Sequence, residues 1–168
     1  MTVRASVAAR VGLLGNPSDA YGGHVVAFTV DQLRAHVDVD DQPGLTVVDG
    51  LGRPTSASGV EEIAGLIASG VLDHGAELLA AAIVAMDASG HRARDVRLGF
   101  GTTIPREVGL SGSSAVIIAA LRVLAECCGH GWDAVDLARV ALAAEVDVLG
   151  MAAGPQDRVV QAIGGLVD

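Results

Sequence analysis

The sequence contains no lysine, since all 11 of its basic residues are arginines. A Walker-type phosphate loop needs a lysine that reaches the terminal phosphates, so this class of nucleotide site is excluded. Aromatic residues make up only 2% of the chain, which leaves few rings for stacking the bases of single-stranded nucleic acid. The net charge is −9, whereas a surface that binds a phosphate backbone needs a positive field. We therefore expect no nucleic-acid partner.

Cysteine is almost absent as well, because the 168 residues include only Cys127 and Cys128. These neighbours have no distant partner to bridge, which favours a reducing compartment. An apolar run such as 115–121 is far too short to span a bilayer, and the first residues carry Arg4 and Arg10 without the apolar stretch of a signal peptide. We expect a cytoplasmic protein that has no membrane partner.

The hydrophobic periodicity predicts one α+β domain, because a strand-rich first part is followed by helices. Hydrophobic residues make up 51% and charged residues 18%, which is typical of a folded core. We find no internal repeat and no low-complexity linker. The predicted strands are 3–14, 24–30, 34–40, 45–48 and 94–100, with a further strand beginning at 165. The predicted helices are 60–69, 73–88, 113–128 and 133–149, with a short helix near Asp157. A polar loop is predicted at 50–59, where Ser58 would cap the first helix through Glu61.

A glycine- and serine-rich loop at 105–115 lies between a predicted strand and a predicted helix. Gly109 and Gly112 allow backbone dihedrals that turn successive N–H groups toward one point. The helix that follows adds its unpaired N–H groups and its positive end, so the segment could bind a polyphosphate. Ser113 and Ser114 offer hydroxyls to phosphate or Mg²⁺. The alternative is a Gly/Ser turn with an ordinary serine N-cap.

Two carboxylates flank a glycine turn at 150–154. Glu145 lies near the end of one predicted helix and Asp157 opens the next. Phosphoryl transfer needs a metal ligand and a group that orients or deprotonates the attacking hydroxyl, and these two carboxylates could supply both. The alternative for Asp157 is a helix N-cap, and Asp147 between them is expected to be a solvated helix residue.

Three segments together resemble the GHMP kinases, the family of galactokinase, homoserine kinase and mevalonate kinase. The sequence Pro-x-x-x-Gly-Leu-Ser-Gly-Ser-Ser-Ala at 105–115 resembles the second signature of the family, and 10–23 is similar to the first. The Gly-Pro-Gln-Asp turn at 154–157 fits the catalytic segment. The resemblance implies the N-terminal domain fold of this family (ribosomal protein S5 domain 2-like), in which a mixed or antiparallel sheet packs against helices, and it implies ATP as co-substrate with Mg²⁺.

The resemblance also assigns residues to roles. Asp157 would be the catalytic base, with Arg10 beside it to stabilise developing phosphoryl charge. Glu145 and Ser114 would bind the metal, although Ser113 is an alternative because the loop is one residue longer than the commoner form. The ATP phosphates would be bound by Gly109, Leu110, Ser111, Gly112, Ser113 and Ser114, and the sugar hydroxyls by Asn16, Asp19 and Tyr21.

Within the family, the segments 15–23, 104–106 and 156–159 resemble the glucuronokinase branch most. That resemblance implies phosphorylation of the anomeric hydroxyl of glucuronate, whose carboxylate an arginine such as Arg106 or Arg158 would bind; the alternative for each is a solvated arginine. The alternative function is a non-catalytic nucleotide-binding or interaction module. GHMP kinases carry a third glycine-rich signature in a C-terminal domain, and nothing like it occurs here. We therefore expect 1–168 to be the ATP-binding N-terminal domain alone, incomplete without a C-terminal domain or a complementary chain.

Overall fold

The computed structural model describes residues 2–16, 18–93 and 95–168, with the side chains of 19 and 20 excepted. The predicted sugar-binding residue Asp19 therefore lies outside the described side chains. All the remaining residues with a predicted role are described.

In the described residues, six strands form one mixed sheet, five of them in the order β1-β2-β5-β3-β4. Strands β3 and β5 are parallel to each other, and β6 pairs with the beginning of β2, opposite Ala27 and Phe28. Every strand pair except β3 with β5 is antiparallel, which confirms the expected fold class. The strand bounds are Val3–Leu14 (β1), Val26–Asp41 (β2), Leu45–Val48 (β3), Pro54–Ala57 (β4), Val96–Thr102 (β5) and Leu166–Val167 (β6).

The first part of the sheet differs from the prediction in two places. The two predicted strands 24–30 and 34–40 are one strand, because Ala9 of β1 pairs with Val30 while its neighbour Ala8 pairs with Arg34. The residues 31–33 therefore form a bulge that the alternation pattern reads as a break. Within the predicted loop 50–59, β4 forms a short edge strand whose proline stands at its first position, where proline is tolerated.

Of the five helices in the described part of the chain, the first, second, third and fifth contact the sheet, and the fourth packs mainly on other helices. Asp73 and Asp133 cap two of them, since each carboxylate accepts the backbone N–H three residues later at 2.8 Å. Ser58 does not act through Glu61; its N–H and hydroxyl both donate to Glu62 at 2.8 Å. The bounds are Val60–Ser69 (α1), His74–Ala88 (α2), Gly112–Cys127 (α3), Ala134–Ala143 (α4) and Gln156–Ile163 (α5), with a 3₁₀ turn at Ser18–Tyr21.

The end of the predicted helix 133–149 is not regular. After α4 the chain continues as one π-helical turn, Ala144–Val148. Such turns insert an extra residue per turn and occur often at functional sites. The turn carries Glu145, which is fully buried.

Helix α3 is the centre of the core. It packs against β1, β2 and β5 on one side and against α2, α4 and α5 on the other. Ile117, Ile118 and Leu121 have no exposed surface, so the helix is held rigidly on all sides. Its first turn therefore provides a fixed mount for the loop that precedes it. In the part of the chain that the structure describes, no helix is long and apolar enough to cross a membrane.

We expect Ile118→Ala to lower the free energy of unfolding by about 2–5 kcal/mol, because it opens a cavity in a packed core. Ile163→Ala is the matched control: Ile163 is 53% exposed, so its truncation should cost about 0.5 kcal/mol. Urea denaturation of the two variants measures the difference. Equal losses would show that α3 is not the centre of the core.

Candidate active site

The loop between β5 and α3 has a backbone conformation that most residues avoid. Glu107, Gly109 and Ser111 all have positive φ, at 59°, 73° and 57°. Glycine adopts this region freely, whereas the left-handed conformation costs other residues roughly 1–2 kcal/mol each. Contacts with the rest of the molecule must therefore hold the loop. Strain of this kind concentrates at ligand-binding sites.

The first set of contacts joins three elements around Asp157, in the first turn of α5. Arg10 of β1 donates from Nε to Asp157 Oδ1 at 2.7 Å and also pairs through Nη2. The hydroxyl of Ser111, which immediately precedes α3, donates to Oδ2 at 2.8 Å. Arg10 is 8% exposed, while the Asp157 side chain keeps 22% of its surface open. The structure thus brings these three residues together, with a carboxylate that solvent and ligands can reach.

The second set of contacts is buried. Glu145 accepts the hydroxyl of Ser113 at 3.0 Å through Oε1 and is paired with Arg158 through Oε2. Arg158 is itself buried and donates to the carbonyl of Gly154. Arg158 therefore neutralises Glu145, so that the hypothesis that it binds a uronate carboxylate is wrong. Sequence reasoning missed this pairing, because the default for an arginine is a solvated position.

The two neighbouring serines have different environments. Ser113 lines the open cleft in front of the loop and contacts Glu145. Ser114, to which the resemblance gives the metal role, is 1% exposed, and its hydroxyl has no hydrogen-bond partner among the described residues. Successive residues of a helix point about 100° apart, so only one of the two faces the cleft. Of the two serines considered for the metal role, Ser113, the alternative to Ser114, is the one that lines the cleft.

The cleft has a volume of about 560 Å³. Its walls are the end of β5, the first turns of α2 and α3, and the loop between β5 and α3; Arg10, Arg106 and Asp157 also line it. Sequence reasoning missed the wall formed by α2. The Phe100 ring packs so closely on Gly75 that a Cβ there would lie 2.1 Å from a ring carbon. The glycine in the first turn of this helix was the sequence feature that could have indicated this close contact. Of the predicted phosphate-binding residues, the cleft is lined by Gly109, Leu110, Ser111, Gly112 and Ser113.

The predicted sugar-binding turn does not reach this cleft in the described residues. Asn16 is exposed and lies beside Gly12, and Tyr21 is 88% exposed; neither lines the cleft. The turn closes on itself, because the hydroxyl of Ser18 donates to the carbonyl of His24 at 2.7 Å. A Cβ at Gly15 would lie 2.2 Å from the same carbonyl oxygen, so the closed turn requires glycine there.

The hydroxyl of Ser113 and Oε1 of Glu145 form a hydrogen bond of 3.0 Å. Both are hard oxygen donors, the type of ligand that Mg²⁺ prefers. Among the described residues, no group of three or more His, Cys, Asp or Glu side chains could hold a metal. The remaining ligands would have to be water and phosphate oxygens, which is the usual arrangement for Mg²⁺ at nucleotide sites.

Comparison with known proteins relates this geometry to one family. The model of the GHMP kinases N terminal domain matches residues 75–165, more than half of the chain. The matched region contains the loop, Glu145 and Asp157. The residues of β1, including Arg10, lie outside it.

Two curated relatives and one solved structure cover nearly the whole chain. Glucuronokinase 1 of Arabidopsis thaliana is 34% identical over 95% of the chain, and a galactokinase of Thermotoga neapolitana is 22% identical over 96%. The chain spans 46% and 44% of these relatives, about half their length. The mevalonate kinase of Methanococcus jannaschii superposes with a TM-score of 0.82 at 15% identity, covering 99% of this chain and 52% of that one; this likeness concerns the fold alone.

We expect Glu145→Gln to lower the free energy of unfolding by about 3–5 kcal/mol, because it removes the nearer of the two carboxylates beside the buried Arg158 and leaves only Asp157, at 3.8 Å. Asp157→Asn should cost only about 1–2 kcal/mol, since its partners keep an acceptor at a partly open position. Chemical denaturation compares the two variants. The double variant Glu145→Met with Arg158→Met should recover most of the loss, and a double variant as unstable as Glu145→Gln would contradict the buried pair.

Proposed function

This chain belongs to the GHMP kinase family, and we propose that it forms the nucleotide-binding part of an enzyme that transfers a phosphoryl group from ATP to a hydroxyl of a sugar acid, glucuronate. The observation that carries the proposal is the contact of Arg10, Asp157 and Ser111 at the cleft. A carboxylate, a guanidinium and the first turn of a buried helix meet at one point. Phosphoryl transfer consists mainly of positioning and charge stabilisation, and this constellation is suited to both.

In the proposed mechanism, the loop and the N-terminal turn of α3 bind the phosphates of ATP. The backbone N–H groups at the start of α3 have no partners within the helix, and the helix dipole adds positive potential there. The left-handed residues Gly109 and Ser111 turn the chain so that neighbouring N–H groups form a concave anion site. This way of binding phosphate needs no lysine, in agreement with the composition of the chain.

Asp157 is the proposed general base. Its Oδ1 is occupied by Arg10 and its Oδ2 accepts from Ser111, so the carboxylate has a fixed orientation. A sugar hydroxyl within hydrogen-bond reach of the carboxylate would give up its proton there as it attacks the terminal phosphate. Arg10 lies close enough to balance the charge that develops on the transferred group.

Ser113 and Glu145 are the proposed residues for Mg²⁺, in place of the pair Ser114 and Glu145. The bound ion would supply positive charge to the phosphate oxygens. Arg158 forms an ion pair with Oε2 of Glu145, and the other carboxylate oxygen, Oε1, faces Ser113. The orientation of a metal ligand commonly depends on such a partner.

Glucuronate as acceptor is supported by the greater identity to the plant glucuronokinase than to the galactokinase. Because Arg158 is buried against Glu145, Arg106 is the arginine proposed to bind the uronate carboxylate. Arg106 is exposed and lines the cleft, and its guanidinium can bind a carboxylate through two hydrogen bonds. Since the relatives are about twice as long as this chain, we further propose that the active enzyme also uses the part that corresponds to their other half, in the same chain or a complementary one.

A direct test joins this chain to the C-terminal half of Arabidopsis glucuronokinase 1 and follows ADP formation from Mg-ATP. We expect turnover with glucuronate and much less with galactose. In this chimera Asp157→Asn should reduce kcat by at least about a hundredfold, because it removes the base, while the affinity for Mg-ATP changes little.

Glu107→Gln is a matched control, since it removes a carboxylate from the same cleft without touching Asp157, and it should keep most of the turnover. If Asp157→Asn weakened nucleotide binding as much as kcat, Asp157 would act by holding the loop through Ser111 and not as the base. Nucleotide binding without turnover on any sugar or sugar acid would favour the non-catalytic module.

We also expect Ser113→Ala to weaken Mg-ATP binding about tenfold, because it removes a metal ligand, and the difference from the unaltered chain should vanish in EDTA. Ser114→Ala is the control: it removes a buried hydroxyl without a partner and should leave the affinity unchanged and the stability equal or higher. Isothermal titration calorimetry measures the affinities. A tenfold loss in Ser114→Ala instead would return the metal role to that residue.

A further inference from the structure

Gln161 lies one helical turn after Asp157 on α5 and is 3% exposed. Its side-chain nitrogen donates to the carbonyl of Ala8 at 3.0 Å and to the carbonyl of Ser111 at 3.0 Å. Ala8 precedes Arg10 by two residues on β1, and Ser111 immediately precedes α3. One amide group therefore links the three elements that carry the candidate active site.

The chemistry of the amide fixes its orientation. The nitrogen of a glutamine side chain carries two hydrogens, and Gln161 uses them on two different carbonyls. With the amide turned over, its oxygen would face two carbonyl oxygens and no bond would form. The two bonds therefore hold Gln161, Ala8 and Ser111 in one arrangement.

Ser111 is the residue that needs this support most. It is a non-glycine residue in the left-handed region, with φ of 57° and ψ of 47°. Its carbonyl also accepts the N–H of Ala115 at 3.1 Å, the first hydrogen bond of α3, and its hydroxyl donates to Asp157. Asp157 therefore binds the hydroxyl of Ser111 and Gln161 binds its carbonyl, and these two residues lie on the same side of α5.

We propose that Gln161 is a positioning residue, which holds Ser111 in its left-handed conformation and thereby sets the phosphate loop at a fixed place relative to Arg10 and Asp157. The inference rests on the proposed function in so far as this loop binds the nucleotide. Gln161 does not line the cleft, so it acts on the ligand only through Ser111.

The test uses the 168-residue chain with Gln161→Met, which keeps the length of the side chain but loses both donors. Two controls accompany it: Gln32→Met changes an exposed glutamine, and Ile118→Val loosens the core under α3 without touching the loop. The dissociation constant for Mg-AMPPNP is measured by calorimetry, and the exchange of the Ala115 amide hydrogen by NMR. We expect a roughly tenfold weaker affinity and at least tenfold faster exchange in Gln161→Met alone.

Each outcome decides the inference. If Gln161→Met binds Mg-AMPPNP as tightly as the unaltered chain, or if its Ala115 amide exchanges no faster than in Ile118→Val, the residue is merely part of the core and the inference is wrong. If neither the unaltered chain nor its chimera with the C-terminal half of Arabidopsis glucuronokinase 1 binds nucleotide, the proposed function fails by itself, and the exchange rate alone decides the role of Gln161 in holding the loop. Should Gln161→Met not fold, Gln161→Asn, whose amide is one methylene too short to reach both carbonyls, is compared in the same way.

Discussion

The ion pair between Arg10 and Asp157 is the contact on which the candidate site depends. It joins residues 147 positions apart and so fixes α5 against β1. A planar guanidinium matches a carboxylate in shape as well as in charge, and the small exposure of Arg10 limits screening by solvent and salt. Ser111 adds the third element by donating to the same carboxylate. The orientation of the proposed base and the position of the phosphate loop therefore share one cause.

Two adjacent residues of opposite charge in the first turn of α5, Asp157 and Arg158, connect this helix to the loop and to the start of α3. Asp157 contacts Ser111 directly, whereas Arg158 reaches Ser113 through Glu145. Ser111 and Ser113 are thus bound to two carboxylates; Arg10 pairs with Asp157, while Arg158 pairs with Glu145 and also lies 3.8 Å from Asp157. This arrangement balances charge within the protein before any ligand binds, which is what allows Glu145 to be completely buried. Glu145 lies in the π turn, a feature that occurs often at functional sites.

Most of the fold could be predicted because its signals are local. Asp73 and Asp133 mark helix starts through their own side chains, and the apolar surface of α3 shows that the helix is buried. The bulge at 31–33 could not be predicted, because the register of β1 against β2 decides it, and no local pattern reports that register. In the site, the resemblance pointed to Arg10 and Asp157, which the structure does bring together. The environment of Arg158 and the choice between Ser113 and Ser114 depend on packing between distant elements, which periodicity does not contain.

Because the chain has no lysine, the positive side-chain charge at the site comes from arginines. Arg10 and Arg158 both line or border the site, but each is paired with a carboxylate of the protein, so their charge is already balanced. The positive potential that remains for a triphosphate comes from the helix terminus and the turned backbone of the loop, with Arg106 at the exposed wall. Backbone groups provide this potential only when the loop keeps its strained conformation. In such a site the affinity for phosphate depends on the conformation of the loop. Residues that stabilise the loop without contacting the ligand therefore affect this affinity as much as residues that contact it.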